Sequence, residues 1–254
     1  MATLQKLITI FSLLFTLSNT LYSQNIFTLD NAQPYSKISL EYVDHTYFRI
    51  GFNAEKLQSS WVLYLLTKQM VSNKKVERST KFIKDNSVSK SALSSDYTKS
   101  GYDRGHLCPA ADMAWDAAAM KATFLMSNIS PQKPQFNRGK WKALEEKVRE
   151  WAMNNDSIIV ITGAILDTCN LGVTGKNKVV IPCRFYKIII DISYPTFKSI
   201  AFIMENDNLK ADIFTYSVSI KEIENATGLN FFPNFDNNST IAEIESSNNV
   251  FQWE

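Results

Sequence analysis

The sequence is poor in the features that define several protein classes. Its 254 residues contain 3 cysteines, 8 glycines and 7 prolines, and they show no Cys-x-x-Cys pair, internal repeat or Gly- or Pro-rich linker. These absences argue against a zinc site built on paired cysteines, against a repeat array and against a boundary between two domains. We therefore expect one continuous domain after the amino-terminal segment.

Long apolar runs are absent beyond that segment. Met1 to Ser23 has the pattern of a secretory signal peptide, with Lys6 ahead of an apolar stretch from Leu7 to Leu17 and small or polar residues near its end. Roughly 11 apolar residues fall short of the ~20 that cross a bilayer as a helix, which disfavours a membrane anchor. We expect an exported protein, cleaved before Gln24, with a single domain over residues 24–254.

Export also permits disulfides. Cys169 and Cys183 flank the turn-rich stretch from Asn170 to Asn177, and the sequence leaves open whether a bridge closes this loop. With that bridge formed, Cys108 would remain a free thiol, which we expect to be buried.

Neither sign of charge is in clear excess, since the formal net charge is only +2. The charge is nevertheless uneven, because Thr67 to His106 and Lys133 to Arg149 are basic, whereas Glu205 to Glu254 is acidic. Such runs are usually solvated faces, but proteins that bind phosphate also concentrate Lys and Arg where a nucleic-acid backbone lies.

Strand-like runs rich in Val, Ile, Phe and Tyr are predicted at His45 to Phe52, Ser60 to Leu66, Ser157 to Thr162, Phe185 to Ile192 and Ser199 to Met204. Helices are predicted at Ala111 to Phe124 and at Asn137 to Met153. A capping box at Ser219 and Glu222 predicts a third helix that ends near Gly228. The fold class is therefore α+β, with a central, mostly antiparallel sheet flanked by helices.

The string Asp103-Arg104-Gly105-His106 is the most informative for chemistry. With an ordinary pKa near ~6.5, His106 is largely neutral at physiological pH and can accept a proton from water, so activity should fall as pH drops through that pKa. Arg104 offers a permanently charged planar fork that suits phosphate oxygens. By itself the string is equally compatible with an Asp103–Arg104 ion pair beside a core histidine.

A second polar cluster lies between Phe124 and Glu145. Asn137 is placed where a loop becomes a helix, and Glu145 follows about two turns later, so both can project toward the first string. Magnesium prefers oxygen ligands and keeps several waters, so the Asn137 carbonyl oxygen would suffice while Glu145 holds metal-bound water. Taken by itself, Asn137 is better explained as a helix N-cap, and only the neighbouring DRGH string favours a metal ligand. The few carboxylates nearby favour one metal ion over two.

Together these segments resemble the DNA/RNA non-specific endonuclease family, the ββα-metal (His-Me finger) nucleases that include endonuclease G and the Serratia-type nuclease. The likeness is carried by the DRGH motif, by SNISPQ from Ser127 to Gln132, and by NxGxWxxLE from Asn137 to Glu145. It extends upstream to Trp61 and downstream to Phe232, over nearly the whole chain after the signal peptide.

The resemblance implies a catalytic group of His106 as general base, Arg104 as phosphate contact, Glu145 acting through metal-bound water, and Asn128. It also implies Asn137 as the direct metal ligand and Arg78 as a second substrate contact. The implied cofactor is Mg²⁺, and the sequence leaves open whether Mn²⁺ can replace it. The implied products carry a 5′-phosphate. The implied substrates are DNA and RNA held by the phosphate backbone, with little base specificity, since no helix-turn-helix, zinc-finger or RNP signature occurs.

Two alternative functions stay open. The chain is also compatible with a nuclease-like module that binds nucleic acid without cutting it, or with a phosphodiesterase that acts on small nucleotides. The sequence leaves open the preference between DNA and RNA and whether the chain forms a homodimer. His45 lies outside the matched motifs and is assigned no catalytic role.

Overall fold

The structure is a computed structural model that describes residues 28–192, 197–235 and 238–254. The predicted signal peptide, Met1 to Ser23, lies outside these ranges. Within them, every helix is too short or too polar to cross a lipid bilayer.

The fold is built on antiparallel strands. The strands are β1 (Tyr35–Ser36), β2 (Glu41–Asp44), β3 (Arg49–Asn53), β4 (Gln58–Thr67), β5 (Asp103–His106), β6 (Ile129–Gln132), β7 (Ser157–Thr174), β8 (Val179–Asp191), β9 (Lys198–Glu205), β10 (Ser217–Val218) and β11 (Leu229–Asn230). A seven-stranded sheet has the order β10-β9-β8-β7-β4-β3-β2, while β5 pairs with β6 and β1 pairs with β11. The predicted antiparallel sheet is confirmed.

Short helices surround this sheet. They are α1 (Lys68–Ser72), α2 (Ala117–Ala122), α3 (Pro134–Asn137), α4 (Lys140–Asn154), α5 (Ile220–Thr227) and α6 (Ser239–Ser246). The helix predicted from the capping box is confirmed as α5, with Ser219 as its N-cap and Gly228 after its last turn. The predicted α+β class is confirmed.

Alternating residues of the strands build two cores, one on each face of the sheet. In β4, Val62, Tyr64 and Leu66 pack on one face, whereas Trp61 and Leu63 pack on the other. Helix α4 covers the first face with Trp141, Leu144, Val148 and Trp151, whose spacings of three and four place them on one side of the helix. Burial of such side chains stabilises the fold by roughly 1.5–3 kcal/mol each. Helix α4 is thereby fixed on the sheet.

Three predicted boundaries are wrong because the structure interrupts the element, and β7 and β8 are also longer than predicted. The His45 to Phe52 run is broken by a turn, closed by a 2.9 Å hydrogen bond from His45 N to Phe48 O, so β3 begins only at Arg49. The first predicted helix is replaced by a 3-10 turn at Ala110–Met113 and by α2, which begins after Asp116 because that side chain caps two backbone N–H groups.

The third wrong boundary lies at the candidate site. The predicted helix from Asn137 to Met153 is split into α3 and α4 at Arg138 and Gly139. A Cβ on Gly139 would lie 2.2 Å from the Gln135 carbonyl oxygen, so this tight junction requires glycine. Asn137 is therefore the last residue of one helix and not the N-cap of the next.

The β7–β8 hairpin carries the disulfide that the sequence left open. Cys169 is bonded to Cys183, with their Cα atoms 5.7 Å apart. Cys108 is a free thiol and is fully buried, as expected.

Candidate active site

Strand β5 holds Arg104 and His106 on one of its faces, since side chains two residues apart point the same way. Its antiparallel partner β6 places Gly105 opposite Ser130 and His106 opposite Ile129. The Gln132 side chain crosses the other face, where a Cβ on Gly105 would lie 2.1 Å from Gln132 Oε1. The glycine of DRGH and the glutamine of SNISPQ are thus needed together.

His106 is buried in an aromatic pocket and is 6% exposed. Its ring centroid lies 4.8 Å from that of Phe124 and 5.6 Å from that of Phe82. Burial, together with the positive charge of Arg78, lowers the pKa of His106 to about 3. The ordinary pKa assumed from the sequence is therefore wrong for the substrate-free protein. The imidazole is neutral at physiological pH, and its buried Nε2 has no hydrogen-bond partner within the described ranges.

Arg104 is fixed by the segment that precedes it. Its Nη2 donates to Ser94 O at 2.6 Å and to Thr98 Oγ1 at 3.2 Å. The guanidinium also lies 5.5 Å from the Phe82 ring centroid and 5.9 Å from that of Tyr97. Arg78 similarly lies over Phe124, at 5.3 Å. These contacts hold both cations beside His106.

Asp103 orients the side chain of Asn137. Asn137 Nδ2 donates to Asp103 Oδ2 at 2.9 Å, and Arg138 donates to both oxygens of the same carboxylate. Because an ionised carboxylate only accepts hydrogen bonds, the amide must turn its NH₂ group toward Asp103 and its Oδ1 away from it. Asn137 lines the cleft, so its carbonyl oxygen is available there to a cation.

Glu145 lies on α4, close to several buried charged side chains. Removal from water raises the pKa of Glu145 to about 7, with Asp112 adding to the rise and Lys187, Arg149 and Arg78 opposing it. Burial likewise lowers the pKa of Lys187, a fully buried cation whose Nζ donates to Thr162 Oγ1 at 2.6 Å. Charges of both signs therefore act on the Glu145 carboxylate.

Asp112 is occupied by structural partners. Its Oδ1 accepts from Arg149 Nη1 and its Oδ2 from the Tyr64 hydroxyl, each at 2.8 Å. Its side chain is fully buried. Since both oxygens are engaged, Asp112 is not free to bind a metal ion, and Arg149 is held in the cleft wall.

These side chains meet in one cleft of about 450 Å³, lined by Arg78, Arg104, His106, Pro109, Ala110, Ala111, Asn137, Arg138, Lys142, Glu145 and Arg149. Among the described residues, five cations and one carboxylate line it. Arg138, Lys142 and Arg149 are paired with acids, so Arg78 and Arg104 contribute most to its attraction for a polyanion. Within the described ranges, no three His, Cys, Asp or Glu residues cluster in a way that could hold a metal ion. Any ion bound beside Asn137 would rely largely on water and on a substrate for its remaining ligands.

The structure brings together His106, Arg104, Arg78, Asn137 and Glu145, but it does not place Asn128 with them. Asn128 is fully buried. Its amide bonds the Cys108 N–H at 2.8 Å and the carbonyls of Cys108 and Thr123 at 2.9 and 2.8 Å. All of these partners are backbone groups, so Asn128 ties the end of β5 to the turn before β6.

Sequence reasoning missed Arg138, Lys142 and Arg149 as cleft residues. Arg149 lies four residues after Glu145, and this helical spacing could have indicated it. The contact of Arg138 with Asp103 has no comparable signal, because it depends on the break between α3 and α4. His45, given no role, is packed against Phe48 with Nε2 3.1 Å from Asp85 Oδ2.

Comparisons with known proteins identify the family. The family model for DNA/RNA non-specific endonuclease matches residues 30–238. A nuclease from Nostoc sp. is 31% identical over 204 residues, covering 75% of this chain and 73% of its own. Nuclease C1 from Cunninghamella echinulata is 31% identical over 225 residues, covering 80% and 87% of the two chains.

Mitochondrial proteins are similar as well. Human endonuclease G is 32% identical over an alignment of 188 residues, and the match covers 68% of this chain and 63% of the human one. Among solved structures, that of the EndoG/EndoGI complex contains a chain that matches with a TM-score of 0.73 and 27% identity. That match covers 78% of this chain and 87% of the other.

Proposed function

Because this chain belongs to the DNA/RNA non-specific endonuclease family, we propose that it is a magnesium-dependent endonuclease that hydrolyses both DNA and RNA, with His106 as general base. The observation that carries the proposal is the meeting of His106, Asn137 and Glu145 in one cleft with five cations around them. Cations bind the phosphate backbone that DNA and RNA share, so they provide affinity without reading sequence or sugar.

The residues present fit a hard divalent cation. Asn137 offers a neutral oxygen whose direction Asp103 fixes, and Glu145 lines the same cleft. A bound Mg²⁺ would supply positive charge to the phosphate oxygens and to the leaving oxygen. Since Asn137 is uncharged, that positive charge would remain undiminished by its protein ligand.

The chain's own residues account for the remaining chemistry. Neutral His106 takes a proton from water, and the oxygen of that water attacks phosphorus in line. The bond from phosphorus to the 3′-oxygen breaks, the 3′-oxygen takes a proton from solvent, and the 5′-phosphate stays on the product. Arg104, held by Ser94 and Thr98, stabilises the charge that develops on the phosphoryl oxygens.

We also propose that the protein is exported. The pattern of Met1 to Ser23 supports this proposal, and so does the Cys169–Cys183 bridge, since disulfides persist in oxidising compartments. Amino-terminal sequencing of the mature protein and cell fractionation test it. A new terminus near Gln24 outside the cytoplasm is expected, whereas an uncleaved chain in the cytoplasm would refute export.

The activity is tested by incubating purified protein with plasmid DNA and with RNA, each with Mg²⁺ or with EDTA, and by following degradation on gels. We expect both polymers to be cut only when Mg²⁺ is present. The His106→Ala and Asn137→Ala variants should be inactive, although circular dichroism should show that they are folded. Retarded but intact polymers would favour a binding module. Cleavage of small phosphodiesters alone would favour a nucleotide phosphodiesterase.

A further inference from the structure

Arg138 makes a two-pronged contact that the chemistry above does not use. Its Nε donates to Asp103 Oδ2 at 2.8 Å and its Nη2 to Asp103 Oδ1 at 2.6 Å. The Arg138 side chain is 72% exposed, whereas that of Asp103 is 17% exposed. Most exposed ion pairs add little to stability, but a two-pronged Arg–carboxylate pair is held in one geometry, so this contact fixes the orientation of both groups.

Asp103 lies next to the proposed metal ligand. The same Oδ2 atom that binds Arg138 also accepts from Asn137 Nδ2, at 2.9 Å. A charged carboxylate is a stronger ligand for a hard divalent cation than a neutral amide. If its oxygens were free, the Asp103 side chain could rotate toward an ion at Asn137, bind it and neutralise part of its charge.

We propose that Arg138 is a positioning residue that occupies both oxygens of Asp103 and so keeps this carboxylate from binding the metal ion directly. The neutral amide of Asn137 is then left as the protein ligand. This inference rests on the proposed function, because it takes Asn137 as the metal ligand.

The local backbone supports this role. Arg138 N donates to Pro134 O at 2.9 Å at the end of α3, and Gly139 provides the tight junction to α4. Asn137 and Arg138 are therefore held as neighbours facing one carboxylate. The planar guanidinium matches both oxygens at once, which the single ammonium of a lysine cannot do.

The test is the affinity of the protein for Mn²⁺ without nucleic acid, measured by electron paramagnetic resonance of the free ion. We expect Arg138→Met to bind Mn²⁺ about 10-fold more tightly, because a carboxylate joins the ligands. Arg138→Lys should fall between this variant and the wild type. The double variant Arg138→Met, Asp103→Asn should lose this gain, because no carboxylate is left to join the ligands. Lys121→Met, which removes an exposed cation outside the cleft, should match the wild type.

Wild-type or weaker Mn²⁺ affinity in Arg138→Met would overturn the inference while leaving the proposed nuclease intact. A raised KM for DNA with unchanged Mn²⁺ affinity would also overturn it, since Arg138 would then be a substrate contact. If the wild type bound Mn²⁺ no more tightly than Asn137→Ala, the metal site itself would be refuted, and with it both proposals.

Discussion

At the scale of single residues, the environment of His106 determines its proton affinity. The His106 ring packs against Phe82 and Phe124, near the positive charge of Arg78. Because these surroundings disfavour the protonated form, the pKa of His106 is lowered to about 3. The unfolded chain gives histidine a pKa near ~6.5. Folded and unfolded states therefore bind different numbers of protons between these two values.

This difference predicts a loss of stability in mild acid. As pH falls below ~6.5 the unfolded state takes up a proton that folded His106 refuses, so by pH ~5 the free energy of unfolding should drop by about 2 kcal/mol through this group. Urea unfolding above pH ~6.5 and at pH ~5 measures this change in the free energy of unfolding. The His106→Asn variant should lack the part of the change that is due to His106. In NMR spectra of the metal-free protein, the His106 ring should remain neutral at pH ~5. A midpoint near ~6.5 would contradict the burial seen here.

The pairing of β5 with β6 operates at the scale of elements. Gly105 is covered by the Gln132 side chain, whose Oε1 would meet an added Cβ at 2.1 Å. We expect Gly105→Ala to destabilise the protein by about 1–3 kcal/mol, because the clash displaces Gln132 or separates the strands.

A double-mutant cycle checks this origin. Gln132→Ala removes the obstructing side chain, so the two substitutions together should cost less than the sum of their separate effects by about 1 kcal/mol. Thermal or urea unfolding of the four proteins gives the coupling. Strict additivity would show that the glycine is needed for another reason.

A second prediction at the scale of elements concerns the contact between the turn at Ala110–Met113 and α4. Asp112→Ala leaves Arg149 without its 2.8 Å partner, and loss of one member of a buried ion pair typically destabilises by about 3–5 kcal/mol. Its matched control is Glu146→Ala, which breaks the exposed Lys142–Glu146 pair and should change stability by less than about 1 kcal/mol. Equal effects in urea unfolding would contradict the structural role given to Asp112.

How far the sequence predicts the site differs between elements. His106, Arg104, Asn137 and Glu145 are found from sequence because each belongs to a compact motif whose residue types suit phosphate and metal chemistry. The split between α3 and α4 is missed, since local periodicity continues through it. Asn128 was wrongly grouped with the cleft because its motif position does not reveal that its amide bonds only to backbone groups.

At the scale of the whole molecule, folding converts an uneven charge pattern into one basic cleft. Of the two basic segments, the first supplies Arg78 and Arg104 and the second supplies Arg138, Lys142 and Arg149. Other cations of the first segment, such as Lys84, Lys90 and Lys99, lie exposed outside the cleft. The sequence indicates the segments, but only the fold selects which of their charges act together. The surroundings of the buried Lys187 are likewise not predictable from the sequence, because its charged neighbours come from distant parts of the chain.

This cleft predicts a steep dependence of binding on salt. With His106→Ala to prevent cutting, the affinity for a mixed-sequence duplex should fall linearly with the logarithm of salt concentration, and adding Arg78→Ala should lower that slope by about 1. Lys121→Ala, outside the cleft, should leave the slope unchanged. Fluorescence anisotropy over a salt series provides the measurement. An unaltered slope after loss of Arg78 would contradict its contact with phosphate.

The central claim is that His106 activates water, and the leaving group of the reaction tests it most directly. Single-turnover cleavage would be measured on an ordinary phosphodiester and on one whose 3′-oxygen is replaced by sulfur, which leaves without needing a proton. A lost general base should slow His106→Ala by about 10²- to 10⁴-fold on both substrates. Near wild-type rates for the variant on the sulfur substrate would make His106 the acid that protonates the leaving group, and would contradict the account.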